Sequence, residues 1–351
     1  LHTLMSTVTT TASVGYHARI VADLAVRRRL LAAGHRIVQL AGSATSDVDA
    51  VTAEAEAALA GVTDTRGTTF QRLEDLVGPT LDTLEGLSSG GPGQGIRTGF
   101  IDLDRLLNGL HPGQVIVIGG RPGGGKSTFG LDLLRACAVK QDLPAAFFSF
   151  EMGAEEIVMR LLSAEARVPL HLMRSGGMDD GAWSRLSQRM GEVSVAPLFI
   201  DDSPNMTMSD VRAKARRLVH RHGVKLICID YLQLVTTGRK TENRQQEVSE
   251  MSRAFKLLAK ELQVPILLLS QLNRGSEQRT DKRPMLSDLR ESGAVEQDAD
   301  VVILLHRPDM HDPDDRPGEA DLIVAKQRNG ATGTLPVVFQ GSYSRFVDFA
   351  S

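Results

Sequence analysis

Gly120-Arg121-Pro122-Gly123-Gly124-Gly125-Lys126-Ser127 satisfies the spacing G-x-x-x-x-G-K-[ST] in full, between the apolar run Val115 to Ile118 and a helical pattern from Ser127 to Val139. Such glycines let successive backbone N–H groups curl inward around a triphosphate. Lys126 then reaches the β and γ phosphates, and Ser127 offers its hydroxyl to Mg²⁺. Arg121, Pro122, Gly123, Gly124, Gly125, Lys126, Ser127 and Thr128 are therefore the expected nucleotide-binding residues, with ATP as the expected ligand.

Four further positions supply the chemistry that such a cradle needs. Leu226 to Asp230 is an apolar run ending in a carboxylate, which places Asp230 at the C-terminal edge of a sheet, where open α/β folds bind ligands. Asp230 and Ser127 are the expected Mg²⁺ residues. Glu151 ends the run Ala145 to Phe150. If that strand neighbours the phosphate-loop strand, its carboxylate faces the γ-phosphate as the base that polarises the attacking water. The competing role is a first-turn Glu stabilising the dipole of a helix over Ala154 to Ala166. Gln271, after Ile266 to Ser270, is placed to bond the γ-phosphate and report its loss, against a purely structural amide.

Lys326 and Arg328 lie beside a turn at Asn329-Gly330 and project to one side of a strand, so they present two cations together. Cations of this kind can complete the site of an adjacent subunit, and an arginine finger contributes roughly a thousandfold or more in rate. A solvated hairpin tip is the alternative. Two other loops are rich in cations: Thr236 to Gln245, with Arg239, Lys240 and Arg244, and Asn273 to Pro284, with Arg274, Arg279, Lys282 and Arg283. They could grip a nucleic-acid backbone, or be ordinary charged loops.

The elements that position these residues fall into two patterns. Before about residue 95 the apolar spacing is helical: Ile20, Leu24, Leu31 and Val38 within Ala18 to Leu40, then Val48, Val51, Ala55 and Leu59 after a capping-box-like start at Ser46. This pair reads as an αα-hairpin over residues 1–63 that needs a further surface to pack on. Phe70, Leu73, Val77, Leu81 and Leu84 mark a docking helix that Gly78-Pro79 kinks or restarts, and Gly86 to Gly95 reads as a flexible tether, so 64–95 is a linker. Over 96–351 apolar strands alternate with helices. Val115 to Ile118, Ala145 to Phe150, Leu198 to Ile200, Leu226 to Asp230, Ile266 to Ser270 and Val301 to Leu305 read as buried parallel strands. Leu322 to Ala325, Val337 to Phe339 and Phe346 to Phe349 read as an antiparallel extension. The expected fold is α/β, a doubly wound, mostly parallel sheet of the P-loop NTPase kind.

Composition narrows the remaining classes. A formal charge of −3 over 351 residues excludes a globally basic nucleic-acid coat, so any nucleic-acid contact is local. Cys137 and Cys228 are far apart in apolar segments and read as reduced core thiols of a cytosolic protein. No apolar stretch approaches the ~18 residues that cross a bilayer, and Leu1 to Thr11 does not form a signal sequence, so no membrane association and no export are expected. The sequence opens without methionine and reads as a piece of a longer chain.

From about Gly95 onward the sequence resembles the RecA-like motor of DnaB-type replicative DNA helicases. The resemblance rests on Thr98-Gly99-Phe100-Ile101-Asp102-Leu103-Asp104, the loop Arg121 to Ser127, Ser149-Phe150-Glu151-Met152 and Ile229-Asp230-Tyr231-Leu232-Gln233. Ser270-Gln271-Leu272-Asn273-Arg274, Asp288-Leu289-Arg290-Glu291-Ser292-Gly293, Glu296-Gln297-Asp298-Ala299-Asp300 and Lys326-Gln327-Arg328-Asn329-Gly330 extend it. It implies a homo-hexameric ring around single-stranded DNA, ATP at each interface, and 5′ to 3′ travel, in the cytoplasm with the nucleoid. It supports Glu151 as catalytic, Gln271 as sensor, and Lys326 and Arg328 as fingers acting in trans. It adds Arg290, Glu291 and Gly293 as DNA backbone contacts. Residues 1–63 resemble the hairpin ending the family's N-terminal domain and 69–86 its linker helix, with a globular part expected before Leu1. In the family that domain contributes to ring assembly and to primase and loader binding. A RecA-type nucleotide-gated filament or scaffold and a non-DNA ATPase switch are the alternatives.

Overall fold

Alternation of apolar residues along the strands splits the core in two. A computed structural model describes residues 14–42, 51, 54–55, 58–59, 72–88, 95–204, 206–230, 244–273, 275, 279 and 281–349. It divides into two units, Leu1–Leu84 and Glu85–Ser351. The first contains helix α1 (Val14–Gly42), along which Ile20, Leu24, Leu31 and Val38 are exposed. The start of the second expected helix, at Ser46, lies outside the described residues, whereas Val51, Glu54, Ala55, Ala58 and Leu59 are helical. Helix α2 (Leu73–Ser88) begins in this unit and runs on past its boundary. The restart expected at Gly78-Pro79 does not occur. One helix continues through Pro79, which supplies no N–H to the turn before it, while the Thr80 hydroxyl donates to the Leu76 carbonyl at 2.7 Å. Most of the tether, 89–94, is outside the described residues.

The second unit continues with α3 (Ile101–Leu107), β1 (Val115–Gly120), α4 (Lys126–Arg135), β2 (Ala145–Ser149), α5 (Ala154–Ala166), α6 (Leu170–Ser175), α7 (Asp180–Val195) and β3 (Leu198–Asp201). There follow α8 (Met208–His222), β4 (Leu226–Asp230), α9 (Arg244–Leu262), β5 (Ile266–Gln271), α10 (Gly293–Asp298), β6 (Val301–His306), β7 (Glu319–Gln327), β8 (Gly333–Gln340) and β9 (Arg345–Asp348). The helix after the phosphate loop is α-helical only to Arg135. It widens into a π-turn over Ala136–Lys140, where the Cys137 carbonyl takes the Leu143 N–H at 3.0 Å.

All nine strands form one sheet in the order β3-β2-β4-β5-β1-β6-β7-β8-β9. β1 to β6 are parallel and β7 to β9 extend them antiparallel, as expected. Successive side chains alternate between faces. Ile116 and Ile118 of β1 join Phe129, Leu133 and Leu134 of α4 in one core, while Val115 and Val117 join Val248, Met251 and Phe255 of α9 in the other. Both faces are covered, which is what keeps a parallel sheet stable. Both cysteines are buried and free, and burial pushes the Cys137 thiol up to about 12.

A buried ionic cluster bolts the phosphate-loop helix to its neighbours. Arg135 of α4 donates to Asp132 and to Glu165 of α5, each at 2.8 Å, and Lys140 donates to Glu165 at 2.6 Å. Asp132 also accepts the Phe346 N–H of β9 at 2.6 Å. Burial works to raise the Glu165 carboxyl, but hydrogen bonds from Lys140 and Arg135 outweigh it and hold the carboxyl below its usual value of 4.5. Because the folded value is the lower one, this stabilisation is complete above the unfolded value and is lost as pH falls through the folded one. Glu165→Gln should destabilise the domain by about 3 kcal/mol at pH 7, since it strips charge from a nearly buried pair. Urea melts should show this deficit at pH 7 and a shrinking one below about pH 4.5.

Candidate nucleotide and transfer site

Strand register brings the distant carboxylates and the amide to one edge. Gly120 of β1 pairs with Gln271 of β5, Leu269 of β5 with Asp230 of β4, and Asp230 with Ser149 of β2. The C-terminal ends of four strands therefore line up, with Asp230 and Gln271 as the last residues of β4 and β5, Arg121 directly after β1 and Glu151 two residues after β2. The condition set for Glu151, that its strand neighbour the phosphate-loop strand, is not met: β4 and β5 stand between β2 and β1. Lys126 closes the gap. It is the first residue of α4, and its side chain reaches across the strand ends, placing Nζ 3.3 Å from Asp230 Oδ1 and 3.1 Å from Glu151 Oε2.

The loop itself is bent by residues that tolerate positive φ. Gly123 (φ 75°) and Gly125 (φ 94°) adopt left-handed backbone, and a Cβ on Gly125 would stand 2.8 Å from the Phe346 ring. Gly124 N–H closes the turn onto the Arg121 carbonyl at 2.9 Å, and Phe129 N–H starts α4 from the Gly125 carbonyl at 2.8 Å. Arg121 ties the loop to the end of β5, donating to the Leu272 carbonyl at 2.8 Å.

The two carboxylates on Lys126 sit in different surroundings. Asp230 is fully buried, and its second oxygen, Oδ2, has no hydrogen-bond partner among the described residues. Burial raises its pKa above 3.8, while Lys126 and the Ser127 hydroxyl pull it down. Glu151 is 53% exposed and faces the cavity. Its loop is shaped by Ser149, whose hydroxyl donates to the Met152 carbonyl at 2.7 Å and accepts the Met152 N–H at 3.0 Å. The helix-dipole role considered for Glu151 falls elsewhere: Glu155 and Glu156 occupy the first turn of α5, and Asp202 accepts the Ala154 N–H at 2.8 Å.

A cavity of about 540 Å³ opens over these groups. Pro122, Gly123, Gly125, Lys126, Ser127, Thr128, Glu151 and Gln271 line it. Arg160, Phe339 and Ser344 form its far wall and carry no sequence signal of their own. Arg160 donates to Ser344 at 3.2 Å, and the Arg307 guanidinium lies 3.9 Å over the Phe339 ring, propping β8 against the loop.

Lys326 and Arg328 are not in this cavity. Gln327, between them, pairs with Val301, which in turn pairs with Ile116 near the start of β1. At least four strand residues, about 13 Å, separate that level from the end of β1, before the loop adds more. Both cations reach the C-terminal turn of α10. Lys326 bonds the carbonyls of Glu296 and Gln297, the latter at 3.3 Å, and Arg328 bonds that of Gln297 at 2.7 Å.

Of the expected nucleic-acid residues, Arg239 lies outside the described residues, and of Arg244, Arg290, Glu291 and Gly293 the backbone alone is described. Arg244 opens α9, Arg290 and Glu291 fall in the 3₁₀ turn Leu286–Ser292, and Gly293 opens α10. Within the loop Asn273 to Pro284, Arg279 and Arg283 turn inward: Arg279 pairs with Asp288, and Arg283 donates to Thr334 at 3.0 Å. The bond from Arg279 helps hold the Asp288 carboxyl below its ordinary value against the opposing effect of burial.

Residues 95–348 match the family model described as the DnaB-like helicase C terminal domain. The replicative DNA helicase DnaB of Leifsonia xyli subsp. xyli is 56% identical over all of this chain and 77% of its own length. The protein of the same name from Mycobacterium leprae is 41% identical over all of this chain and 83% of its own. Among solved structures, a DnaB-like replicative helicase described with its primase interactions superposes with a TM-score of 0.81 at 29% identity, covering 100% of this chain and 82% of that one. With a complete phosphate loop and its carboxylates on a RecA-like sheet, the chain belongs to the DnaB-like helicases, the ATP-hydrolysing replicative DNA helicases.

Proposed function

We propose that this chain is one subunit of a homo-hexameric ring that hydrolyses ATP with Mg²⁺ at its interfaces and so moves 5′ to 3′ along single-stranded DNA, unwinding duplex. The observation that carries this reading is the separation of the two halves of the chemistry: cradle, carboxylates and amide at one sheet edge, cation pair at the other. No strand register of a single protomer unites them, whereas a neighbour's hairpin can.

At such an interface Lys126 and the loop N–H groups bind the phosphates, and Glu151 takes a proton from the water attacking the terminal phosphorus. Ser127 and the orphaned Oδ2 of Asp230 suit Mg²⁺, which favours few protein ligands together with phosphate oxygens; its charge would offset that of the β and γ oxygens. Lys326 and Arg328 of the neighbour stabilise the negative charge that develops in transfer.

Gln271 is the sensor in this scheme, and a physical connection leads from it to the DNA segment. Two residues on, Asn273 N–H donates to the Asp288 carbonyl at 3.0 Å, in the 3₁₀ turn that carries Arg290 and Glu291. Loss of the terminal phosphate at Gln271 can therefore displace the backbone that, with Arg239 and Arg244, grips DNA. Residues 1–63 and 64–95 serve as partial N-terminal domain and linker ahead of the motor, 96–351. Primase and a loader are the proposed partners, and the cytoplasm, at the nucleoid, the proposed location. Among the described residues no helix is long and apolar enough to cross a membrane.

Glu151→Gln should retain bound ATP while phosphate release falls roughly a hundredfold or more; normal turnover in a coupled release assay would remove Glu151 from the role of base. Arg328→Ala mixed with unaltered subunits should depress ATPase activity more steeply than its fraction in the ring. A linear mixing curve would count against action in trans. Single-stranded DNA should stimulate turnover, with an affinity that declines as salt rises. Indifference to DNA would favour the ATPase-switch alternative.

A further inference from the structure

Asp300, just before β6, gathers groups from three other places in the fold. Its Oδ2 accepts the N–H of Val115, the first residue of β1, at 2.7 Å, and Nζ of Lys256 in α9 at 2.5 Å. Its Oδ1 faces Arg328, whose Nη1 stands 3.7 Å away, an ion pair too long for a hydrogen bond. The main chain of Arg328 is fixed to the same residue, since its N–H donates to the Asp300 carbonyl at 2.9 Å. Lys256 is anchored a second time, by the Gly113 carbonyl at 3.0 Å.

The two cations on Asp300 are thus held very differently. Lys256 is 13% exposed and doubly bonded, whereas Arg328 is 46% exposed, keeps only a loose charge contact with the carboxylate and is otherwise held by one hydrogen bond to the Gln297 carbonyl at 2.7 Å. A cavity of about 550 Å³, lined by Asn108, His111, Lys256 and Asn329, opens around the guanidinium. A nearly buried carboxylate stripped of its last cation is strongly destabilising. If Arg328 were the sole counter-ion of Asp300, that penalty would oppose every excursion of the guanidinium toward another subunit. Lys256 removes the penalty.

We propose that Asp300 is a positioning residue for Arg328: its carboxylate keeps the guanidinium in reserve by charge alone, while Lys256 stays behind as the permanent counter-ion that lets the side chain leave. The assignment rests on the proposal that Arg328 acts on a neighbour's triphosphate. Asp300 itself touches no nucleotide. Its loss should therefore weaken the turnover step and leave ATP binding at the subunit's own phosphate loop intact.

The test is steady-state ATPase activity of assembled full-length protein on saturating single-stranded DNA, normalised to assembled subunits by native mass. Asp300→Asn keeps an acceptor for the Val115 N–H, and should lower kcat about tenfold with KM for ATP changed less than about twofold. Lys256→Met leaves Arg328 as the only cation on Asp300 and should lower kcat by a similar factor, again with little change in KM. In the Asp300→Asn background, Lys256→Met should have almost no further effect, because no carboxylate remains to trap the arginine. Losses that multiply in the double variant, or a change confined to KM, would overturn the proposal. Arg328→Ala run in parallel separates the two levels. If it loses activity while Asp300→Asn does not, the positioning role falls and action in trans stands; if Arg328→Ala turns over normally, both fall.

Discussion

A buried ammonium between two carboxylates is the constraint on which the rest of the structure depends. Lys126 is 9% exposed and Asp230 fully buried, so neither charge can exist there without the other. Their contact requires β4 to end level with the start of α4, and that depends on the register of β1, β5, β4 and β2. A one-residue slip of β4 would turn Asp230 into the opposite core and leave Lys126 with Glu151 alone. The two cores hold the register, with Ile116 and Ile118 fixed against α4 and Val115 and Val117 against α9. Apolar alternation far from the nucleotide thus decides where the charges meet.

The same sheet explains why the chain places the two sets of expected site residues at opposite edges. Parallel strands put all their C-terminal ends on one side, which assembles the cradle from four segments spread over more than 150 residues. The antiparallel extension reverses direction: β7 runs back to the opposite edge and delivers Lys326 and Arg328 beside the start of β1. Topology therefore separates finger from cradle within a chain, and in the proposed ring each cation pair serves the next subunit.

Much of this was legible in the sequence, for identifiable reasons. Each of the nine strands contains a short apolar run bounded by turn residues, and the chemical groups at the nucleotide edge follow such runs directly. Period and punctuation suffice to find residues of this kind. Strand order was not legible, because an apolar run has the same pattern whichever neighbour it acquires; hence the neighbour of the Glu151 strand stayed a condition. The far wall of the cavity was hidden for a related reason. Arg160, Phe339 and Ser344 are brought over the loop by packing of β8 and β9 on α4 and α5, and no local spacing encodes a contact between Arg160 and Ser344 across 184 residues. At Pro79, where a kink or a restart was expected, one helix runs on through the local breaker.

One short helix links the two edges. α10 begins at Gly293, directly after the turn that carries Arg290 and Glu291, and ends at the carbonyls that Lys326 and Arg328 hold. On its N-terminal side the turn is bonded through Asp288 to Asn273, two residues beyond the sensor Gln271. The proposed DNA segment therefore lies between the amide proposed as sensor and the cations proposed to serve a neighbour. Were Arg328 to turn toward a neighbour's phosphate in the proposed ring, it would give up its bond to the Gln297 carbonyl and leave that end of α10 to Lys326 alone. Loss of a terminal phosphate at Gln271, in its proposed role, would act through the other end. A segment bonded at both ends in this way would, in the proposed ring, connect the proposed sensor to the proposed fingers.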